Sequence, residues 1–430
     1  MKRLEDLAAV LRALQPGNTV CVHTGCSEPL VLTQRLAELA PELDGVNVLT
    51  LMPMGASPYA EAGPARHLVN RSFFPGKGLR RAFANGLVEP LRHRLSEIPG
   101  LVRSGAVRVD ALLLQVSPPD ATGHVSLGLA VDYMKEVLAT RPLVIAEINP
   151  RMPRTSGDTL VHVSQIAWSL DVDYVPQEVA PAAADSVDVQ IACNVAGLIG
   201  DGAVLQVGIG ALPDQVLGQL GHLRHLGVHS GIVTDAIRPL IEAGVIDNAR
   251  KTFLPGVSVA TMAAGTQDFY RFLDGNPLIE FHPSSVTHNA AILSGIERLT
   301  AINSGLQADL GGSVNAEVAT GRIVSMIGGL ADFAQGAVRA PGGSSILALR
   351  STFRDGQISN IVVALDRDVP RSLGPDDVDF IVTEYGVAPV RSVAPEDRAR
   401  DLIAIAHPAF RDDLAARARS GDRHLKEISQ

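Results

Sequence analysis

Aromatic side chains are scarce in this 430-residue chain: 11 Phe, 5 Tyr and 1 Trp amount to 4% of it. So few rings offer no stacking platform for bases. Cysteine is equally sparse. Cys21, Cys26 and Cys193 are odd in number and unpatterned, which argues against a disulfide framework and for a reducing, cytoplasmic compartment. No block of Lys and Arg interrupts a chain of formal charge −9. The basic surface that nucleic acid demands is therefore missing, and an anionic ligand would have to be met by local backbone donors. Long apolar runs are lacking as well. None approaches the roughly 20 residues that span a bilayer, and no membrane partner is expected. The opening "MKRLEDLAAVLRALQPG" is broken by Glu5, Asp6 and Arg12 and reads as an amphipathic helix rather than a signal peptide.

What is present is the material of a well-packed protein, 46% hydrophobic and 19% charged, at a length that suggests two domains. Short β-branched runs alternate with helical patterns: "NTVCVHT", "VNVLTLMPM", "VDALLLQV", "LVIAEI", then "AVLQVGI", "GIVTDA", "ISNIVVAL" and "VDFIVTE". Such alternation predicts α/β domains with buried, largely parallel sheets. The Ala- and Pro-rich stretch Val175–Asp188 lacks periodicity and is the candidate linker, which gives an N-terminal domain over 1–180 and a C-terminal domain over 189–430. Across it runs an internal similarity. Gly17, Val22 and Gly25 recur as Gly202, Val207 and Gly210, Pro29 meets Pro213 after a one-residue slip, and Leu32, Leu36 and Leu39 recur as Val216, Leu220 and Leu223. Both segments read as turn, strand, glycine loop, proline, helix. Any two strand-loop-helix units share something of this; the alternative is two related domains in tandem whose facing loops build one cleft.

The stretch "QVGIGALP", Gln206 to Pro213, has the context of a phosphate-cradling loop between strand and helix. Gly208 and Gly210 let a ligand approach the main chain, and Pro213 suits a first helical turn because it has no N–H to leave unpaired. Val216, Leu217, Leu220 and Leu223 are expected to form the helix's apolar face. The dinucleotide fingerprint wants a third glycine where Pro213 stands and an acidic residue after the next strand, so a nicotinamide cofactor is not expected. A tight turn without a ligand is the competing reading.

Several longer runs bear on that choice: "SPPDATGHVSLG", "EINPRMPRT", "QVGIGALPD", "AINSGLQADLGGSVNAE", "IGGLADFAQGA", "TEYGVA" and "AIAHPAFRDDL", together with the N-terminal "HTGCSEP" and "HLVNRSFFPGKGLRRAF". In order and spacing the chain resembles the acetyl-CoA hydrolase/transferase family, in particular its 4-hydroxybutyrate CoA-transferase-like branch, over nearly its full length. The resemblance implies two CoA-transferase-type α/β domains in tandem with the active site in the cleft between them. It implies that Gly208, Ile209, Gly210, Ala211 and Leu212 contact coenzyme A, with Asn303, Gln307, Gly328 and Gly329 in the same region. CoA and acyl-CoA would be substrates rather than a resident cofactor, the partner being a small acceptor: a carboxylate, water, an amine or an alcohol. A homodimer or larger assembly is also implied. Leu330 replaces the family's usual glutamine.

Members of the resembled family work through a glutamate that attacks the thioester and becomes the acyl carrier, in a run resembling "HSEM". Here the run is "GVHSGIVTDA", Gly227 to Ala236, so Gly231 occupies the nucleophile's position while His229, Ser230 and Asp235 match its surroundings. Three readings stay open. Another carboxylate has taken over, with Glu61 in "PYAEAG" and Glu28 in "GCSEP" as nominees. Water or another acceptor attacks bound acyl-CoA directly, helped by His229 or Ser230. Or the protein binds CoA without turnover. "MPMGASPYAEAGPARH", Met52 to His67, is expected to shape the acyl pocket.

Other constellations carry less. His222 and His225 sit three apart without a third ligand nearby, so no metal is expected. His229, Ser230 and Asp235 have the residue types of a hydrolytic triad, but neighbours in sequence rarely point at one another usefully. Cys26 is read as a packing residue or a nucleophile, and Glu384 and Asp309 as structural. Arg398 to Arg419 reads as an amphipathic helical pair broken at Pro408.

Overall fold

In the computed structural model, which describes residues 2, 3, 6–354 and 356–419, the β-branched runs become parallel sheets as the alternation predicts. In the first sheet Asn47–Thr50, Thr19–Val22, Ala111–Val116, Leu143–Ile148 and Trp168–Asp171 lie side by side in that spatial order. Lys2–Arg3, Val69–Ser72 and Val88–Pro90 extend its edges to eight strands, all parallel. In the second, the order is Gly227–Val228, Val204–Val207, Leu299–Ser304, Ser344–Ala348 and Phe380–Thr383, closed by the antiparallel Gly386–Pro389. By chain position both five-strand series run 2-1-3-4-5, so the similarity seen in sequence reflects a shared topology. The matched positions agree in detail. Val22 and Val207 each end the first strand, and Gly17, Gly202, Gly25 and Gly210 all have positive φ.

Burial explains why these runs form sheets. The strand residues Val20, Leu113 and Ile145 pack against Leu11 of the Leu7–Arg12 helix and Leu32 and Leu36 of the Leu30–Glu38 helix. Val204, Leu299 and Ala301 pack against Phe333 and Ala337 of the Leu330–Arg339 helix. The C-terminal helical pair forms as Pro395–Ile405 and Pro408–Arg419, sinking Leu402, Ile405 and Leu414 into the core with Leu347 and Ile381. Residues 420–430, the tail of the expected second domain, lie outside the described residues.

Differences from the expected layout have local causes. The chain forms two compact units that are not contiguous: Met1–Ala180, Gly231–Asp235 and Val257–Asn289 make one, and Pro181–Ser230, Ala236–Gly256 and Ala290–Gln430 the other. Strand pairing draws the two short pieces of the expected 189–430 domain to the first unit. Ile232–Val233, from "GIVTDA", pairs with Met262–Ala263 instead of entering the second sheet, and Ile279–Phe281 joins Ser258–Ala260 to Ser156–Gly157. "ISNIVVAL" splits into Ile358–Ser359 and Ile361–Val362, which pair outside the main sheets. The helix after the glycine loop, Ala211–Gly218, stops before Leu220 and Leu223, where glycines at 218 and 221 weaken it; Val216, Leu217 and Leu220 are buried, but Leu223 is only half-buried. Residues 172–185 have no regular structure, and Asp185 caps the Ser186–Ala196 helix, so the last residues of the candidate linker are helical.

Candidate active site

In a parallel sheet of order 2-1-3-4-5 the connections after the first and third strands leave in opposite directions, opening a crevice at the carboxyl ends of those strands. In the second unit these strands are Val204–Val207 and Leu299–Ser304. The loop Gly208–Leu212 leaves the first and Asn303–Gln307 the end of the third, so topology alone brings those predicted residues to one edge. A reciprocal amide pair joins the two strands there. Gln206 Nε2 donates to Asn303 Oδ1 at 3.3 Å, and Asn303 Nδ2 donates to Gln206 Oε1 at 3.0 Å. Gln206 was not singled out in the sequence; its place at a strand end opposite Asn303 was the available signal. Gln307 lies in a neighbouring strand, its Oε1 accepting from Asn315 Nδ2 at 3.4 Å.

The loop has the geometry for an anion. Gly210 stands before the Ala211–Gly218 helix with φ 134°, a conformation that favours glycine, and no side chain caps that helix. Ile209 at the tip is exposed. First-turn N–H groups and the helix dipole favour negative charge at such an end. A second helix, Leu330–Arg339, follows the third strand, and it too begins on a glycine, Gly329, with no side-chain cap; Gly328 before it has φ 50°. Leu330 heads that helix, half-buried.

The run after the strand Gly227–Val228 braces the loop from the other side. The Ser230 hydroxyl donates to Val207 O at 3.0 Å and accepts from Val207 N at 3.3 Å, directly before Gly208. His229 is fully buried, edge-on to Phe253 and Phe333. Gly231 is half-buried, its backbone lies outside the left-handed region, and its carbonyl accepts from the Thr261 and Met262 N–H groups at 3.2 and 3.1 Å. Asp235 instead accepts from the N–H and hydroxyl of Thr266, at the start of the Gln267–Leu273 helix. Ser230 and Asp235 thus have separate partners.

The first unit has an equivalent loop, His23–Pro29, at the matching strand end. Glu28 lies there, fully buried, and burial pushes its carboxyl up to about 7. Its Oε2 accepts from Gly55 N at 3.2 Å, and a Cβ on Gly55 would stand 2.6 Å from that oxygen, so the approach requires glycine. The Ser57 and Tyr59 hydroxyls face the same carboxyl and moderate its rise. Neither these hydroxyls nor Glu28 Oε1 reach a partner at normal hydrogen-bond geometry. Glu61, the other nominee, is exposed. Cys26 is buried, and burial pushes its thiol up to about 12, which leaves it a packing residue at neutral pH. His222 bonds Gln219 O and His225 pairs with Asp247, so the two do not act together on a metal. Glu384 accepts from Ser351 and Asp309 from the N–H groups of Ser313 and Leu365, both as structural carboxylates.

Residues 1–183 match the acetyl-CoA hydrolase/transferase N-terminal domain, and residues 265–418 match the acetyl-CoA hydrolase/transferase C-terminal domain. The chain belongs to the acetyl-CoA hydrolase/transferase family. The glycine loop and Gly231 lie between the two matched stretches. Over 387 residues, 90% of each chain, this family member is 37% identical to the 4-hydroxybutyrate coenzyme A transferase of Clostridium kluyveri. It superposes on the crystal structure of RipA from Yersinia pestis with a TM-score of 0.91 at 28% identity, covering 96% of each chain. A 4-hydroxybutyrate CoA-transferase from Porphyromonas gingivalis gives 0.82 at 32% identity over 96% of each chain. Family membership makes the chain an acyl-CoA transferase or hydrolase, an enzyme of CoA-thioester chemistry with two α/β domains in tandem. No helix among the described residues is long and apolar enough to cross a membrane.

Proposed function

We propose that this enzyme binds a short acyl-CoA on the main chain of Gly208–Leu212, with Asn303, Gln307, Gly328 and Gly329 beside it, and passes the acyl group directly to water or a small acceptor. The observation that carries this reading is Gly231. Where the resembled branch has the glutamate that becomes the acyl carrier, this chain offers a glycine held by two main-chain hydrogen bonds. Without that carboxylate the acceptor oxygen or nitrogen attacks the thioester carbon, the C–S bond breaks, and CoA leaves with the acceptor's proton. In this reading Ser230 positions the loop through Val207 and His229 packs behind it, so neither is the nucleophile. The acidic balance of the chain suits main-chain donors, because the diphosphate meets helix termini rather than a basic surface.

A second reading, transfer through a relocated carboxylate, is favoured by Glu28: a buried carboxyl with one oxygen short of a partner, at the first unit's equivalent loop. Glu61 is the other candidate. Borohydride reduction after incubation with acyl-CoA separates the readings, because a glutamyl thioester is trapped as a reduced residue. Direct transfer predicts free CoA and no reduced glutamate by peptide mass spectrometry; reduction at Glu28 or Glu61 would establish the relocated carboxylate. Neither CoA release nor CoA binding would leave only a non-catalytic protein. A cytoplasmic homo-oligomer, the homodimer above all, belongs to the same proposal, and sedimentation equilibrium tests its size.

A further inference from the structure

Within the first unit, Ser57, Glu61, Gly78, Arg81 and Asn85 line a pocket of about 370 Å³. That volume suits a small molecule. Its walls are mostly small: Ala56, Ala60 and Gly63 stand among them. Glycine at 78 is obligatory, since a Cβ there would come within 2.2 Å of Gly55 O and 2.6 Å of Ser57 Oγ. Ser57, only 2% exposed, turns its hydroxyl to the Glu28 carboxyl and lends the pocket its backbone, which takes the left-handed φ of 50°.

The two charges settle the ligand's chemistry. Glu61 and Arg81 line the same pocket, both exposed, and neither forms an ion pair with the other or with any other side chain among the described residues. A simple anion placed here would gain from Arg81 and be opposed by Glu61; a simple cation would meet the reverse. A molecule with a carboxylate at one end and an ammonium at the other satisfies both, which is discrimination by charge placement rather than by net charge. We propose that this pocket binds a small zwitterion, a short amino acid, with its carboxylate on Arg81 and its ammonium on Glu61. Asn85 supplies a further hydrogen bond at the wall.

Glu61 is also a nominee for the relocated carboxylate, so the test is made without acyl-CoA and reads binding alone. Isothermal titration of the full chain with glycine, β-alanine and γ-aminobutyrate is compared with propionate and propylamine, which carry one charge each. At least one amino acid is expected to bind at least tenfold more tightly than either control. That affinity should fall about tenfold or more in Glu61→Gln and in Arg81→Gln, and hold in Lys77→Gln. The wild-type comparison alone is decisive even if a variant misfolds: no heat from any amino acid, or propionate binding as well as the best of them, overturns the proposal. So does an amino-acid affinity indifferent to a folded Glu61→Gln.

Discussion

Gly231 and Glu28 divide the chemical question at the level of single residues. Gly231 lies outside the left-handed region, so a side chain there meets no backbone objection. Gly231→Glu is therefore expected to create or raise transfer of CoA from acyl-CoA to acetate, read as the rate of acetyl-CoA formation; an unchanged rate in a folded variant would mean that the surroundings have diverged beyond this one side chain. Glu28 makes a different prediction. Its folded carboxyl is raised to about 7 from an ordinary 4.5 by burial, so at neutral pH the unfolded chain has released a proton that the folded chain partly keeps. The stability this group contributes is complete below about 4.5 and is lost as pH rises through about 7. Glu28→Gln, neutral at every pH, should reduce the fall in unfolding free energy between pH 5 and pH 8 by roughly 2 kcal/mol in urea denaturation. Asp132 and Glu147, also raised to about 7 by burial, keep the remaining slope.

Among the elements, the brace between Ser230 and Val207 and the turn at Gly210 are the parts that present the loop. Ser230→Ala removes two buried hydrogen bonds and should cost about 1–3 kcal/mol of stability while weakening CoA binding several-fold by titration calorimetry. Gly210→Ala forces a β-carbon into φ 134° and should weaken CoA binding more than stability. Equal affinity in both variants would detach the loop from the coenzyme. At this scale the sequence was readily legible where a local rule decides. The buried strands, the glycine turns at 17, 25, 202 and 210, and the proline-started helices follow from burial, positive φ and the missing proline N–H. Legibility failed where a distant partner decides. Nothing within "GIVTDA" says that its strand pairs with Met262–Ala263, or that the Ser230 hydroxyl closes on Val207 rather than facing a substrate. Glu28 could be nominated from its motif, but its burial depends on Gly55, Ser57 and Tyr59, which come close only in the folded unit.

For the whole molecule, the repeated 2-1-3-4-5 order and the non-contiguous first unit matter most. Residues 257–289 complete a unit that begins at the N-terminus: Phe281 and Val259 are fully buried, and the Ile279–Phe281 strand pairs with Ser156–Gly157. A fragment ending at Ala180 lacks those strands. It should expose apolar surface, bind a hydrophobic dye and unfold at lower urea than the full chain; a fragment as stable as the intact protein would contradict this division. The central claim, that coenzyme A rests on the main chain of Gly208–Leu212, is tested most directly by a crystal structure with CoA bound. Diphosphate oxygens are expected within hydrogen-bond distance of the Ile209, Gly210, Ala211 or Leu212 N–H groups. A coenzyme seated elsewhere, with those amides turned to solvent, would contradict it.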